Sequence, residues 1–337
     1  MGNVMFFIVS KRPWLSSLKI VFFSGKIIKM GMFIDGKWLI QDVNPQTKSG
    51  AFERLPTTIH SKITAKGPFL PESKRYHLVV SYACPWAHRT LIFRKIKGLV
   101  DHIPIAVVHP YMGPNGWDFE IGDGVIPPAF GAFDRLGDVY IKHDSNFTGR
   151  VTVPVLWDSK TEQMVNNESA QIIRMFNSAF NDLTGNTIDL YPADLVSKID
   201  KWNDYIYGAI NNGVYKVGFA RSQAIYDKEV LQLFVVLDEI DAHLSKHDFL
   251  CGDHLTEADI RLFVTLLRFD PVYVGHFKCN LNRIIDYKHL SAYCDRVRYA
   301  YDIEDTIRMD HIKDHYYKSH PTLNPSGIVP LGPTVLF

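Results

Sequence analysis

Tyr76-His77-Leu78-Val79-Val80-Ser81-Tyr82-Ala83-Cys84-Pro85-Trp86-Ala87-His88-Arg89-Thr90 joins a short β-type run to a Cys-Pro pair and the start of a helix. Residues 76–81 read as a strand. Pro85 suits the first helical position, and Leu91, Ile92, Ile96 and Leu99 fall on one face of a helix expected over 86–99, with Gly98 near its end. A second β-type run, 103–108, closes a strand–helix–strand unit, which predicts a βαβ element. Cys84 thereby sits where a helix presents unpaired N–H groups and the positive end of its dipole. That setting predicts a thiol pKa lowered from about 8.5 toward or below neutral. Position 87 is Ala87, so there is no second thiol for an internal disulfide, and exchange chemistry needs an external thiol. The bland alternative is a buried, inert cysteine.

Outward from this unit, residues 35–75 read as an extended lead-in and 109–150 as a long loop or insertion. Val151-Thr152-Val153-Pro154-Val155-Leu156-Trp157 is expected to be a strand, with Pro154 marking an edge or a special backbone feature, trans or cis. Asn166-Asn167-Glu168-Ser169 precedes a helix expected over 169–180, with Ser169 as its N-cap and free N–H groups suited to a carboxylate. After a linker near 181–196 the period becomes helical. Val230, Leu233, Phe234, Leu237, Ile240 and Leu244 form a core stripe, and Thr256 with Asp259 resembles a capping box opening a helix that runs on to Phe269. The reading is an α/β domain at 35–182, an all-helical domain at 195–323 and a turn-rich tail at 324–337.

The 337 residues carry 37 Lys+Arg and 36 Asp+Glu, a net +1, with 46% hydrophobic residues. No global basic field exists to recruit nucleic acid, and a sizeable core can form without disulfides. The four cysteines, at 84, 251, 279 and 294, have neither disulfide-framework nor zinc-ribbon spacing. Cys251, Cys279 and Cys294 read as packing residues. His311 and His315 stand at i, i+4 on an expected helix, a metal-compatible spacing lacking a third ligand, so no metal is expected. Residues 1–34 hold five basic residues and no acid. This extension has the composition of a mitochondrial transit peptide. It could equally be a disordered leader, or lie upstream of a start at Met30 or Met32. Its apolar runs are too short to span a membrane. The expected location is cytoplasmic, with mitochondrial as the alternative.

The Cys-Pro helix start, the Val-Pro strand and the Glu-Ser helix start are together similar to a thioredoxin-like glutathione site, and the helical region that follows resembles that of a glutathione transferase. The likeness extends to the segments 81–90, 150–158, 211–216 and 255–261. It also includes Arg268-Phe269-Asp270-Pro271-Val272-Tyr273, the stretch from Asp310 to Tyr316, and Asn324-Pro325-x-Gly327-Ile328. Over roughly residues 45–333 the chain resembles the Xi class, the glutathionyl-hydroquinone reductases.

This resemblance implies an N-terminal thioredoxin-like domain followed by an all-helical domain, glutathione as co-substrate, and a homodimer. Cys84 would be the nucleophile. Trp117 and, less securely, Arg135 would contact glutathione. Val153 would pair with its cysteinyl backbone, and Glu168 and Ser169 would hold its γ-glutamyl end. Tyr207 and Tyr316 would line a hydroquinone pocket. The implied reaction reduces glutathionyl-hydroquinones through a mixed disulfide on Cys84. An omega-like thiol transferase or dehydroascorbate reductase is the alternative on smaller substrates, and a non-catalytic binding module is a third reading, against which the set of Cys84, Glu168 and Ser169 argues.

Overall fold

The computed structural model describes residues 31–40 and 52–337. Residues 1–30, on which most of the targeting extension and the start at Met30 fall, lie outside it. Strands β1 (Gly31–Ile34) and β2 (Lys37–Ile40) form an antiparallel hairpin. The expected boundary at 34/35 falls in its turn. Gly149 pairs with Phe33 in both directions (3.0 Å each way), so β1 is fastened to the α/β part.

That part is a four-stranded sheet in the order β4-β3-β5-β6. Its strands are β3 (Tyr76–Val80), β4 (Ile105–Val107), β5 (Val155–Asp158) and β6 (Gln163–Asn166). β3 runs parallel to β4 and antiparallel to β5, with Leu78 opposite both Ile105 and Leu156. β3 and β5 are buried along their whole length, as expected of central strands covered on both faces. Helix α1 (Pro85–Ile96) makes the β3–β4 crossover. It ends three residues before the expected 99 because Gly98 takes φ +68°. Gly98 N–H then bonds the Lys95 carbonyl and Leu99 N–H the Arg94 carbonyl, a Schellman closure.

The third strand is shorter than expected. Residues 151–153 lie outside the ladder, the Val153–Pro154 bond is cis, and pairing begins at Val155. Within the expected loop 109–150 there is a helix, α2 (Leu136–His143), whose Leu136, Val139 and Tyr140 are buried. That i, i+3, i+4 set is too short to stand out in the sequence. Helix α3 (Ser169–Ser178) follows β6. Its N-cap is Glu168, not the expected Ser169: the Glu168 carboxylate accepts from Ala170 N–H at 3.1 Å.

After a short α4 (Asn181–Thr184), helices α5 (Val196–Ile206), α6 (Gly213–Gly218), α7 (Gln223–Leu244), α8 (Glu257–Leu266), α9 (Lys288–Tyr299) and α10 (Met309–Ser319) build the all-helical part. The expected α7 stripe is buried throughout. The Thr256/Asp259 capping box is present, with Thr256 N–H and hydroxyl both reaching Asp259 Oδ2 (2.8 and 2.9 Å). α8 stops at Leu266, short of the expected Phe269, where a π-helical turn (Phe269–Tyr273) takes over. No helix among the described residues is long and apolar enough to cross a membrane.

Candidate active site

The turn that carries Cys84 is built by its own backbone. Cys84 N–H donates to the Ser81 carbonyl (3.1 Å), and the Cys84 carbonyl accepts the first helical bond from His88 N–H (2.9 Å). Cys84 is therefore the N-cap of α1, with Pro85 next, as expected. Its Sγ lies 3.7 Å from the Val153 carbonyl beside the cis bond. The residue is half-buried in the wall of a cavity of about 340 Å³ between the sheet domain and the helices.

The expected lowering of the thiol pKa is not what this setting gives. Burial pushes the Cys84 thiol up. The N–H groups of Ala87 and Trp86 and the charges of Arg268 and Arg54 pull the other way without cancelling it. The helix start supplies the expected donors, but desolvation of the sulfur outweighs them.

Tyr140 fastens the two strand-end segments of the site. Its hydroxyl donates to the Thr152 carbonyl (2.8 Å), and it accepts from Thr152 N–H (3.2 Å) and from the Asn167 side chain (3.2 Å). The backbone before the cis bond and the start of α3 are thus held by one buried phenol. Glu168 and Ser169 both face the cavity. Besides capping α3, the Glu168 carboxylate accepts from the Thr57 hydroxyl at 3.1 Å.

Trp117 is buried and stacks on His315 (ring centroids 4.7 Å apart, interplanar angle 25°). It is brought there by a turn in which Gly116 has φ +81°, and a Cβ at Gly116 would stand 3.1 Å from the Trp38 ring. Arg135 is elsewhere. It caps α2 and reaches Asp138 on the surface, and it does not line the cavity that holds Cys84. Arg150, by contrast, lines that cavity. Its Nε and Nη2 are buried and have no hydrogen-bond partner, and burial together with nearby Arg54 lowers its pKa to about 10. Arg54 bonds Asn212 (2.7 Å) and lies 4.7 Å over the Trp86 ring.

On the helical side, Tyr316 is central. Its hydroxyl lies 2.7 Å from that of Tyr215 and 3.0 Å from that of Tyr273. Burial holds all three phenols above their usual pKa, most strongly Tyr273 and Tyr316. They are neutral hydroxyls at neutral pH. Tyr207 also lines the cavity, but it is 44% exposed on a π-helical turn, edge-on to Trp86 and outside this phenol network. The sequence reading missed Tyr215 and Tyr273 as site residues. Both stand in segments it had singled out, and their shared direction toward Tyr316 arises only from the packing of α6, the π-helical turn and α10.

His311 and His315 point to separate partners, the carbonyls of Asp123 (2.7 Å) and Pro110 (3.0 Å). Among the described residues no group of three His, Cys, Asp or Glu side chains is placed to hold a metal ion. Cys251, Cys279 and Cys294 are buried, with thiol pKa values raised by that burial.

Comparison with known proteins decides the family. Residues 83–179 match the N-terminal domain of glutathione S-transferases and residues 223–296 the C-terminal domain. The chain is 46% identical over 304 residues to the glutathionyl-hydroquinone reductase PcpF of Sphingobium chlorophenolicum, covering 90% of this chain and 96% of that protein. The crystal structure of the Xi glutathione transferase of Phanerochaete chrysosporium superposes with a TM-score of 0.84 at 48% identity, over 87% of this chain and 96% of that one. The chain belongs to the glutathione transferase family, in its Xi class. A further relative, the glutathione transferase homolog YqjG of Escherichia coli K-12, has a glutathione-bound structure (TM-score 0.81, 48% identity, 82% of this chain and 94% of that one). The family's two-domain architecture is the one described above, with the sheet carrying Cys84 and the helices closing the cavity over it.

Proposed function

We propose that this protein reduces glutathionyl-hydroquinones with glutathione, and that Cys84 is the nucleophile. The observation that carries this reading is the shared cavity: a cysteine at a helix start shares a cavity of about 340 Å³ with the phenols of Tyr215 and Tyr316, and Tyr273 backs Tyr316 from behind the wall. Glutathione-dependent reduction of glutathionyl-hydroquinones is also what relatives at 46–47% identity over 90% of the chain are named for.

Glutathione lies along the sheet edge in this reading. The Val153 backbone pairs with its cysteinyl unit. Glu168 and Ser169 at the start of α3 receive the γ-glutamyl end, where the positive end of the helix favours its carboxylate and Glu168 its ammonium. Arg150 offers unpaired donors to a second carboxylate, in the role the sequence assigned to Arg135. Trp117 forms the apolar wall.

The Cys84 thiolate attacks the glutathione sulfur of the conjugate. The aryl carbon–sulfur bond breaks, its electron pair goes to the ring carbon, and that carbon takes a proton. Hydroquinone leaves, and Cys84 holds glutathione as a mixed disulfide. A second glutathione thiolate attacks that disulfide, releasing glutathione disulfide and the Cys84 thiolate. The carbon leaving group is poor unless its charge is met. Tyr316, supported by Tyr215 and Tyr273, is the protonated donor at that side of the cavity. This phenol set also favours an aromatic substrate over the small mixed disulfides or dehydroascorbate of an omega-like enzyme.

The test is turnover of glutathionyl-menadiol with glutathione, followed as menadiol and glutathione disulfide, in the wild type and Cys84→Ser. Turnover in the first and its loss in the second, with glutathione still bound, supports the reading. An inactive wild type that reduces small disulfides or dehydroascorbate would replace it with the omega-like one. Inactivity on every substrate would leave a binding module.

A further inference from the structure

Arg268 lies between α8 and the π-helical turn, on the far side of the Cys84 loop from solvent. It is fully buried. Its Nε donates to the Ala83 carbonyl (2.8 Å), Nη2 to the Tyr82 carbonyl (2.9 Å) and Nη1 to the Val264 carbonyl (2.6 Å). Nη1 also lies 3.2 Å from His88 Nδ1, while His88 Nε2 lies 2.9 Å from the Thr306 hydroxyl. That hydroxyl already donates to the Ile303 carbonyl (2.6 Å). His88 therefore accepts at Nδ1 and donates from Nε2. Burial and the neighbouring Arg268 charge hold it neutral.

Every acceptor around this guanidinium is thus uncharged. Among the described residues no carboxylate lies within ion-pairing distance of it. A buried cation normally has an anionic partner. Two of the three carbonyls that Arg268 grips belong to the residues immediately before Cys84. The anion that can form next to this loop is the Cys84 thiolate.

We propose that Arg268 is the positioning residue of Cys84: it locks the 82–83 backbone so that the sulfur stays at the start of α1, and its buried charge is the fixed counter-charge of the thiolate. The inference rests on Cys84 being the nucleophile. It goes further in assigning the helical domain an electrostatic part in a step that begins on the sheet domain. The other charged and titratable groups facing the thiol have different duties. Arg54 is tied to Asn212 and stacked on Trp86 and Tyr215 at the cavity wall. Arg89, on α1, lies 4.7 Å from the Trp86 ring and feels Glu168, Glu257 and Arg261. Tyr215 is a neutral phenol bonded to Tyr316.

The experiment is the pH dependence of Cys84 alkylation by iodoacetamide in the full chain, with Cys84→Ser as the blank for the three buried cysteines. Arg268→Met is expected to move the alkylation midpoint up by about one unit and slow alkylation at neutral pH about tenfold. Arg268→Lys, which keeps the charge but loses the planar fork, is expected to fall between Met and wild type. An unchanged midpoint in a folded Arg268→Met protein overturns the proposal, even if turnover falls, because a merely structural role would leave the thiol's ionisation alone. Should Arg268→Met not fold, the ¹⁵Nε resonance of Arg268 in the wild type provides the answer. A titration at the alkylation midpoint that disappears in Cys84→Ser supports the counter-charge, and a flat response overturns it. Alkylation uses no hydroquinone, so failure of the reductase reading and failure of this one appear in different assays.

Discussion

The Tyr316 hydroxyl, shared with Tyr215 and Tyr273 at 2.7 and 3.0 Å, is a point where removing one oxygen separates chemistry from shape. Tyr316→Phe preserves the ring that packs edge-on against Tyr273 and Phe277. It is expected to lower kcat on glutathionyl-menadiol about 100-fold while leaving exchange with small mixed disulfides within about threefold of wild type; parallel assays of the two substrates check this. Equal losses on both would place the phenols in binding rather than in protonation of the leaving carbon. At this scale the sequence was uneven. Cys84, Trp117, Val153, Glu168, Ser169, Tyr207 and Tyr316 all line the cavity; Cys84, Glu168 and Ser169 stand at helix starts that local pattern marks, whereas Trp117 was placed by the family resemblance alone. Arg135 lies away from the cavity and Arg150, which lines it, was not singled out, since the segment between β4 and β5 has no periodic pattern to place its cations.

Helix α8 shows how an element's start can be read from four residues. Thr256 and Asp259 close a box on themselves, and Asp259 also accepts from Leu250 N–H and Tyr293, tying in the preceding loop and α9. Thr256→Ala removes the buried hydroxyl and is expected to cost about 1–2 kcal/mol of stability, measured as the shift in urea midpoint at constant m-value. Apart from the displaced ends described above, the helices with long apolar stripes stand where the sequence placed them. The short elements β1, β2, β6 and α2 were not foreseen, because four to eight residues hold too little period to distinguish a paired edge from a loop. Whether such a segment becomes a strand depends on the neighbour that takes up its N–H groups, as Gly149 does for β1.

Across the whole molecule, Glu257 at the start of α8 is a hinge of charge. Fully buried, it takes Arg174 of α3 at 3.1 Å, Arg261 at 2.6 Å and the Asn203 amide of α5 at 2.9 Å. Glu257→Ala strands Arg261 and unties the α/β part from the helical part. The expected cost is about 3–5 kcal/mol, read by urea unfolding. A second whole-molecule property is acid sensitivity. Burial holds His276 and His315 at pKa values of about 4, below the ordinary 6.5. Their neutral forms are favoured by folding, so this stability is complete above about pH 6.5 and is lost as pH falls through 4. Between those limits the unfolded chain binds more protons. Each histidine corresponds to about 3 kcal/mol over that window. Unfolding free energy is expected to decline steadily from pH 6.5 to 4, and His315→Gln is expected to flatten the decline.

The sequence by itself determined the two-part architecture, the helix that begins at Cys84 and the family. Those features rest on local signals: a Cys-Pro helix start, capping residues, a 3.6-residue stripe. Tertiary structure alone decided what surrounds the sulfur. The phenol trio draws on three separated helical segments, Arg268 reaches back 185 residues to the Ala83 carbonyl, and burial shifts the thiol opposite to the direction its helix position suggests. Direction of approach and desolvation are properties of packing between distant segments, and no local pattern in the chain encodes them.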